Sequence, residues 1–206
     1  YHIEFGGGRR IPSFGFMGNI HLYAGAQGLG TPPPGIGYGK KLKDDYRRLW
    51  GSIVGLSGRG EMLPNRDCYC EIDPTVVDRW GIPVLRFHWQ WSDHEHNQVK
   101  HMHETFRALV AQMGGEVFSP MPTAERGYGI TAGGQIIHEL GCTRMGSDPE
   151  SSVVDANCRA HDCRNLFIAD GGPFVSQADK NPTWTILALA WRTSDFIAGQ
   201  RRQGDL

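Results

Sequence analysis

The 206-residue sequence predicts a mixed α/β chain of the α+β kind. Three observations carry this. Strand-like stretches occur in "DCYCEIDP" and "VLRFHWQW". A helical apolar repeat runs over residues 93–113. A short apolar run, "NLFIADGG", is followed by a helix that opens on "NPTW".

Taken in order, residues 1–40 are rich in Gly and Pro, with short apolar stretches such as Ile20 to Tyr23 expected as strands between turns. "GIGYGKK" follows a Pro triplet where a phosphate loop needs a buried strand, and its spacing is wrong, so no phosphate site is assigned there. "KLKDDYRRLWG" starts as a short helix and breaks at Gly. "DCYCEIDP" reads as a strand that stops at Asp73-Pro74, and Val84 to Trp91 reads as a second strand.

Residues 93–113 carry Val99, Met102, Phe106, Leu109, Val110 and Met113 at three- and four-residue steps. Asp93 is expected to cap this helix, and Gly114-Gly115 to stop it. It also bears His94, His96, His101 and His103. No two of these are spaced i, i+4, and three lie off the apolar stripe, so the reading is a solvated face and no metal site. Farther on, Leu166 to Ala169 reads as a buried strand. The last helix is expected to have Asn181 as N-cap, Pro182 at its first position and Gly199 as its end. Its residues are apolar nearly all round, which predicts packing inside a domain.

Composition narrows the function classes. The formal charge of −1 gives no basic footprint for nucleic acid and no polybasic membrane patch. The apolar run Ile186 to Trp191 is far shorter than the ~20 residues a bilayer requires. No signal peptide opens the chain. It starts on Tyr1, which is expected of a processed chain or a piece of a longer one. Compartment stays unassigned. Twenty-eight glycines are about twice ordinary usage, as in cofactor proteins, and six Trp, nine Phe and six Tyr argue for a packed core. Cys68, Cys70, Cys142, Cys158 and Cys163 form no regular framework and read as free structural thiols.

One ordered series of motifs carries chemistry. His138 stands in "IIHELGCTRMGSDPESSVVD", followed by "NLFIADGGPFVS" and then "NPTWTILALAWRTSDFI". Together these resemble the C-terminal signature of the glucose–methanol–choline (GMC) flavoprotein oxidoreductases, strongly over about residues 130–198. "EIDPTVVDRWGIPVLRFHWQWSDHE" is similar to the substrate domain of bacterial sugar and gluconate dehydrogenases in that family.

The resemblance implies FAD as cofactor and the following roles. His138 matches the active-site histidine that accepts the alcohol's proton. Asn181 matches its partner, Asn in some members and His in others. Asp170 and Gly171 match the segment lying along the FAD, and Asn181, Pro182 and Thr183 the turn approaching the isoalloxazine ring. The chemistry agrees: a neutral imidazole with a reference pKa of about 6.5 suits removal of the hydroxyl proton as hydride leaves for flavin N5. Asn181 can hydrogen-bond the developing alkoxide, and the helix start offers N–H groups to negative charge at the flavin. Arg144 is assigned a structural role.

The implied architecture is a partial substrate domain over residues 1–130, with antiparallel sheet and helices. Residues 131–206 then hold a strand and helix that complete an FAD-binding domain. No Gly-x-Gly-x-x-Gly strand–turn–helix unit is present, which predicts a fragment inactive by itself. The expected activity is oxidation of a CH–OH group of a sugar, polyol or sugar acid. Its partners would be a small alcohol or sugar substrate and an external electron acceptor that the sequence does not name. Two alternatives accompany it: a non-catalytic carbohydrate-binding module using Phe87, Trp89 and Trp91, and zinc-dependent hydrolysis through the histidines of 94–103.

Overall fold

The computed structural model describes residues 1–7, 39–49, 51–52, 54–117, 119–135 and 137–205. The strand expected at Ile20 to Tyr23 and most of "GIGYGKK" lie outside the described residues. The elements are β1 (His2–Gly7), α1 (Lys40–Leu49), β2 (Val54–Arg59), β3 (Tyr69–Val77), β4 (Pro83–His88), α2 (Asp93–Gln112), a 3-10 stretch (Ala124–Gly129) and α3 (Thr183–Gln203). The class is α/β with antiparallel sheets, as the sequence predicts. Two compact units form: residues 1–60 with 96–130, and residues 61–95 with 131–206.

In the first unit β1 pairs antiparallel with β2, His2 opposite Arg59 through Gly7 opposite Val54. The apolar stripe of α2 meets β2 where the strand has no side chain. A Cβ at Gly58 would lie 2.5 Å from Met102 Sδ and 3.2 Å from Phe106 Cζ. Glycine here admits the helix, and Met102 is buried against it. His103, half-buried on the same helix, donates from Nε2 to the Tyr128 carbonyl at 2.9 Å. Burial lowers its pKa, and the Tyr128 bond only partly offsets that.

In the second unit β3 and β4 form a hairpin, Tyr69 opposite His88 through Ile72 opposite Leu85. The expected stop at Asp73-Pro74 is instead a shift of register between Ile72 and Val77, after which β3 resumes. Proline cannot donate to the ladder, so it sits where the ladder is interrupted. Asp73 stabilises that interruption. Its Oδ1 accepts the N–H groups of Thr75 and Val76, each at 2.8 Å, and its Oδ2 accepts Arg86 Nε at 2.9 Å. These bonds, the two backbone N–H groups foremost, hold the carboxyl far below its usual pKa.

α2 starts as expected, but its cap is Ser92 rather than Asp93. Ser92 Oγ accepts the His94 N–H at 3.2 Å, and Glu95 reaches back to the Ser92 N–H at 2.8 Å, a reciprocal capping box. Glu95 also accepts the Leu63 N–H at 2.9 Å. Burial alone would raise its pKa; the bonds from Ser92 and Leu63 outweigh that and hold it low.

Three further expectations are corrected by packing. At 166–169 there is an isolated bridge, Arg159 opposite Phe167, flanked by Ala160 N–H to Leu166 O and Ile168 N–H to Cys158 O. The chain here folds as tight turns around buried Val154, Cys158 and Pro173, so the apolar run joins a loop cluster instead of a sheet. α3 passes through Gly199 and ends at Gly204, whose φ of 78° is left-handed. Its all-round apolarity does not bring all-round burial. Thr193 donates to the Asn157 carbonyl at 3.1 Å and Phe196 meets Phe167 at 6.2 Å, whereas Trp184, Leu187 and Trp191 stand exposed on the opposite side. Among the described residues no helix is long and apolar enough to cross a membrane. All five cysteines are free thiols.

Candidate active site

The three motif segments meet at one glycine. A Cβ at Gly171 would overlap Leu140 Cδ2, two residues beyond His138, and would lie 3.6 Å from Ile186 Cδ1 in the first turns of α3. The backbone reinforces this. Gly141 N–H donates to Gly171 O at 3.1 Å, Thr143 N–H to Gly172 O at 3.1 Å and Met145 N–H to Pro173 O at 3.0 Å. The His138 segment therefore lies alongside the 171–173 turn, and the start of α3 closes on both.

His138 itself is partly exposed and has a φ of 86°. A residue with a Cβ rarely takes that conformation, and it costs about 1–3 kcal/mol that the surroundings must supply. Such strain concentrates where a side chain must be aimed. Tyr128 and Cys158, with φ of 54° and 60°, are the other non-glycine residues at positive φ among the described residues.

The other expected residues follow in chain order, and no contact joins their side chains to His138 among the described residues. Asp170 is exposed, and its Oδ1 accepts the Gly172 N–H at 2.7 Å. Gly171 and Gly172 are buried. Asn181 and Thr183 are exposed on either side of buried Pro182. Pro182, with φ −84° and ψ −11°, occupies the N-cap place expected for Asn181, and no side-chain hydrogen bond caps the helix. The first intrahelical bond runs from Ile186 N–H to Pro182 O at 3.0 Å. The N–H groups of Thr183, Trp184 and Thr185 thus have no acceptor within the helix, and they form its positive end.

One further polar group lies beside this turn. Thr143 Oγ1 is buried and, among the described residues, has no hydrogen-bond partner. It faces Gly172: a Cβ there would overlap Thr143 Oγ1 and approach Asp170 Oδ1 at 2.9 Å. A threonine in "CTRMG" carries no signal of this, because the partner segment lies 29 positions on. Arg144 acts through its backbone, its carbonyl taking the Val153 N–H at 3.0 Å, and its side chain is exposed. Among the described residues no group of His, Cys, Asp or Glu is arranged to hold a metal ion.

The donor set fits FAD. An exposed carboxylate at Asp170 can accept from hydroxyls, an exposed carboxamide at Asn181 can both donate and accept, and the α3 N-terminus offers free N–H groups to an anionic or carbonyl edge.

Comparison with known proteins adds an independent line. A family model described as GMC oxidoreductase matches residues 64–190. The fructose dehydrogenase large subunit of Gluconobacter japonicus is 29% identical over 166 residues, covering 81% of this chain and 29% of its own length. The 2-methyl-1,2-propanediol dehydrogenase of Mycolicibacterium austroafricanum is 30% identical over 177 residues, with 82% and 29% covered. The gluconate 2-dehydrogenase flavoprotein of Pantoea cypripedii is 24% identical over 193 residues, with 91% and 31% covered. The chain thus spans under a third of the length of these relatives.

Proposed function

The chain belongs to the GMC oxidoreductase family, and from that premise we propose that it is the C-terminal part of an FAD-dependent enzyme oxidising a CH–OH group of a sugar, polyol or sugar acid. The observation that carries this reading is the convergence on Gly171 of the His138 segment, the Asp170–Gly172 turn and the first turns of α3, with His138 held at positive φ. The names of the relatives, which include a fructose dehydrogenase and a gluconate 2-dehydrogenase, support a sugar-like substrate. Both dehydrogenases and oxidases occur among them, and we read this chain as a dehydrogenase with an external electron acceptor.

In this reading FAD supplies the acceptor for the hydride. His138 takes the hydroxyl proton on a neutral ring nitrogen, a task matched to an imidazole near neutral pH. Asn181 donates from its carboxamide to the oxygen as it gains charge, which holds the substrate carbon in register. Asp170, Gly171, Asn181, Pro182 and Thr183 would hold the cofactor, and the N–H groups at the start of α3 would stabilise the negative charge it gains on reduction. Residues 1–130 belong to the substrate domain and residues 131–206 to the segment that completes the FAD domain. The uncovered side of α3, with Trp184, Leu187 and Trp191, supports the latter, because an apolar stripe of that size calls for a covering layer. The chain by itself is then inactive.

The test is His138→Ala in the full-length protein, with flavin bleaching followed under substrate without oxygen. The reduction rate should fall about a hundredfold or more; an undiminished rate refutes the role of His138. The carbohydrate-module alternative gains nothing from the geometry, since Trp89 and Trp91 meet at an interplanar angle of 88° and present no flat platform.

A further inference from the structure

Two anchors bracket His138, and the motif segments supply only the downstream one, at Gly171. The upstream anchor comes from the chain just beyond β4. Trp91 Nε1–H donates to the Thr131 carbonyl at 3.1 Å. Gly133 lies against the indole of Trp89, whose Cδ1 and Cγ would be 2.6 Å from a Cβ at that position. The turn between them is closed by Gln135 N–H to Ala132 O at 3.2 Å.

The two indoles are themselves fixed. They meet edge to face with centroids 5.3 Å apart. Gln90 between them is tied to Cys68 at the foot of the hairpin, its N–H reaching Sγ at 3.4 Å while the thiol donates to its carbonyl at 3.3 Å. The indole N–H of partly exposed Trp91 is a single directed donor. Its acceptor is the backbone at the entry of the arm carrying His138.

We propose that Trp91, braced by Trp89, is a positioning residue for His138, fixing through the Thr131 carbonyl the entry of the arm that aims the imidazole. This rests on the reading of His138 as the group that takes the substrate proton. A positive-φ backbone at a non-glycine persists only where the chain is pinned on both sides. Releasing one pin lets the arm relax, and the imidazole turns away from the substrate hydroxyl.

The experiment uses the full-length flavoprotein with Trp91→Phe, which keeps an aromatic ring and removes the single donor. At saturating substrate the flavin-reduction rate should fall roughly tenfold or more, with KM changed less than about twofold and flavin content unchanged. In a His138→Ala background the same change should cost nothing further, because the arm no longer carries a base. A purely structural role would lower both backgrounds in proportion, and that outcome overturns the proposal. So does an undiminished rate in Trp91→Phe when His138→Ala is slow. An undiminished rate in His138→Ala sinks the base assignment itself, a separate failure. Should Trp91→Phe not accumulate as folded flavoprotein, Gly133→Ala, which drives a methyl into Trp89, carries the same test with the same outcomes.

Discussion

Leu140 and Gly171 touch so closely that a side chain on the glycine would displace the Leu140 Cδ2 methyl. The contact joins the segment bearing His138 to the turn bearing Asp170, and Ile186 brings the start of α3 to the same point. Gly171→Ala should therefore destabilise the protein by about 1–3 kcal/mol through overpacking, and should loosen flavin binding in the full-length enzyme. Thermal melting and flavin absorbance of the purified variant check both. Gly199→Ala is the contrasting case. It lies inside α3 with nothing near its missing Cβ, so the same substitution should stabilise by about 0.5–1 kcal/mol through helix propensity.

His138 predicts a separation of stability from activity. At a φ of 86° a glycine is at ease where histidine is strained. His138→Gly should melt at or above the wild-type temperature while its flavin is reduced about a hundredfold more slowly or worse. His138→Ala should lose the same activity without the gain in melting temperature, since alanine keeps the Cβ.

Asp73 predicts an acid limb. Its folded pKa lies below the unfolded value of about 3.9, so its contribution is fully present above pH ~4 and is lost as pH falls below that. Melting temperature measured from pH 5 down to pH 2 should fall more steeply for wild type than for Asp73→Asn, which has no charge to lose. Equal slopes would show that the bonds from Thr75, Val76 and Arg86 do not act through the carboxylate.

α3 predicts association of the isolated chain. Trp184 and Trp191, 83% and 74% exposed with Leu187 between them, form an apolar stripe one helix face wide. The 206-residue chain should self-associate at micromolar concentrations, as measured by sedimentation velocity, and Trp184→Gln with Trp191→Gln should reduce this. In the full-length enzyme the same pair should lower the melting temperature instead, because the stripe is then covered.

Local order was legible in the sequence, and its limits follow particular residues. The repeat from Val99 to Met113 located α2 because its stripe meets a strand, so periodicity and burial agree. The edges were misplaced where an unsuspected partner decided them. Ser92 displaced Asp93 as cap through Glu95, Pro74 interrupted β3 without ending it because Asp73 and Arg86 span the gap, and α3 outran Gly199. The run Leu166 to Ala169 looked like a strand and became a loop against Cys158.

The sequence by itself determined the elements, the ordered motifs and, through them, the chemistry to look for, since each depends on residues a few positions apart. Tertiary structure alone decided that Leu140, Gly171 and Ile186 share one point, that Thr143 Oγ1 has no hydrogen-bond partner among the described residues, that Trp91 holds Thr131 and that His138 is strained. Each of these is a contact or conformation enforced by groups distant along the chain. Neither period nor propensity encodes which distant atoms will fill a given space.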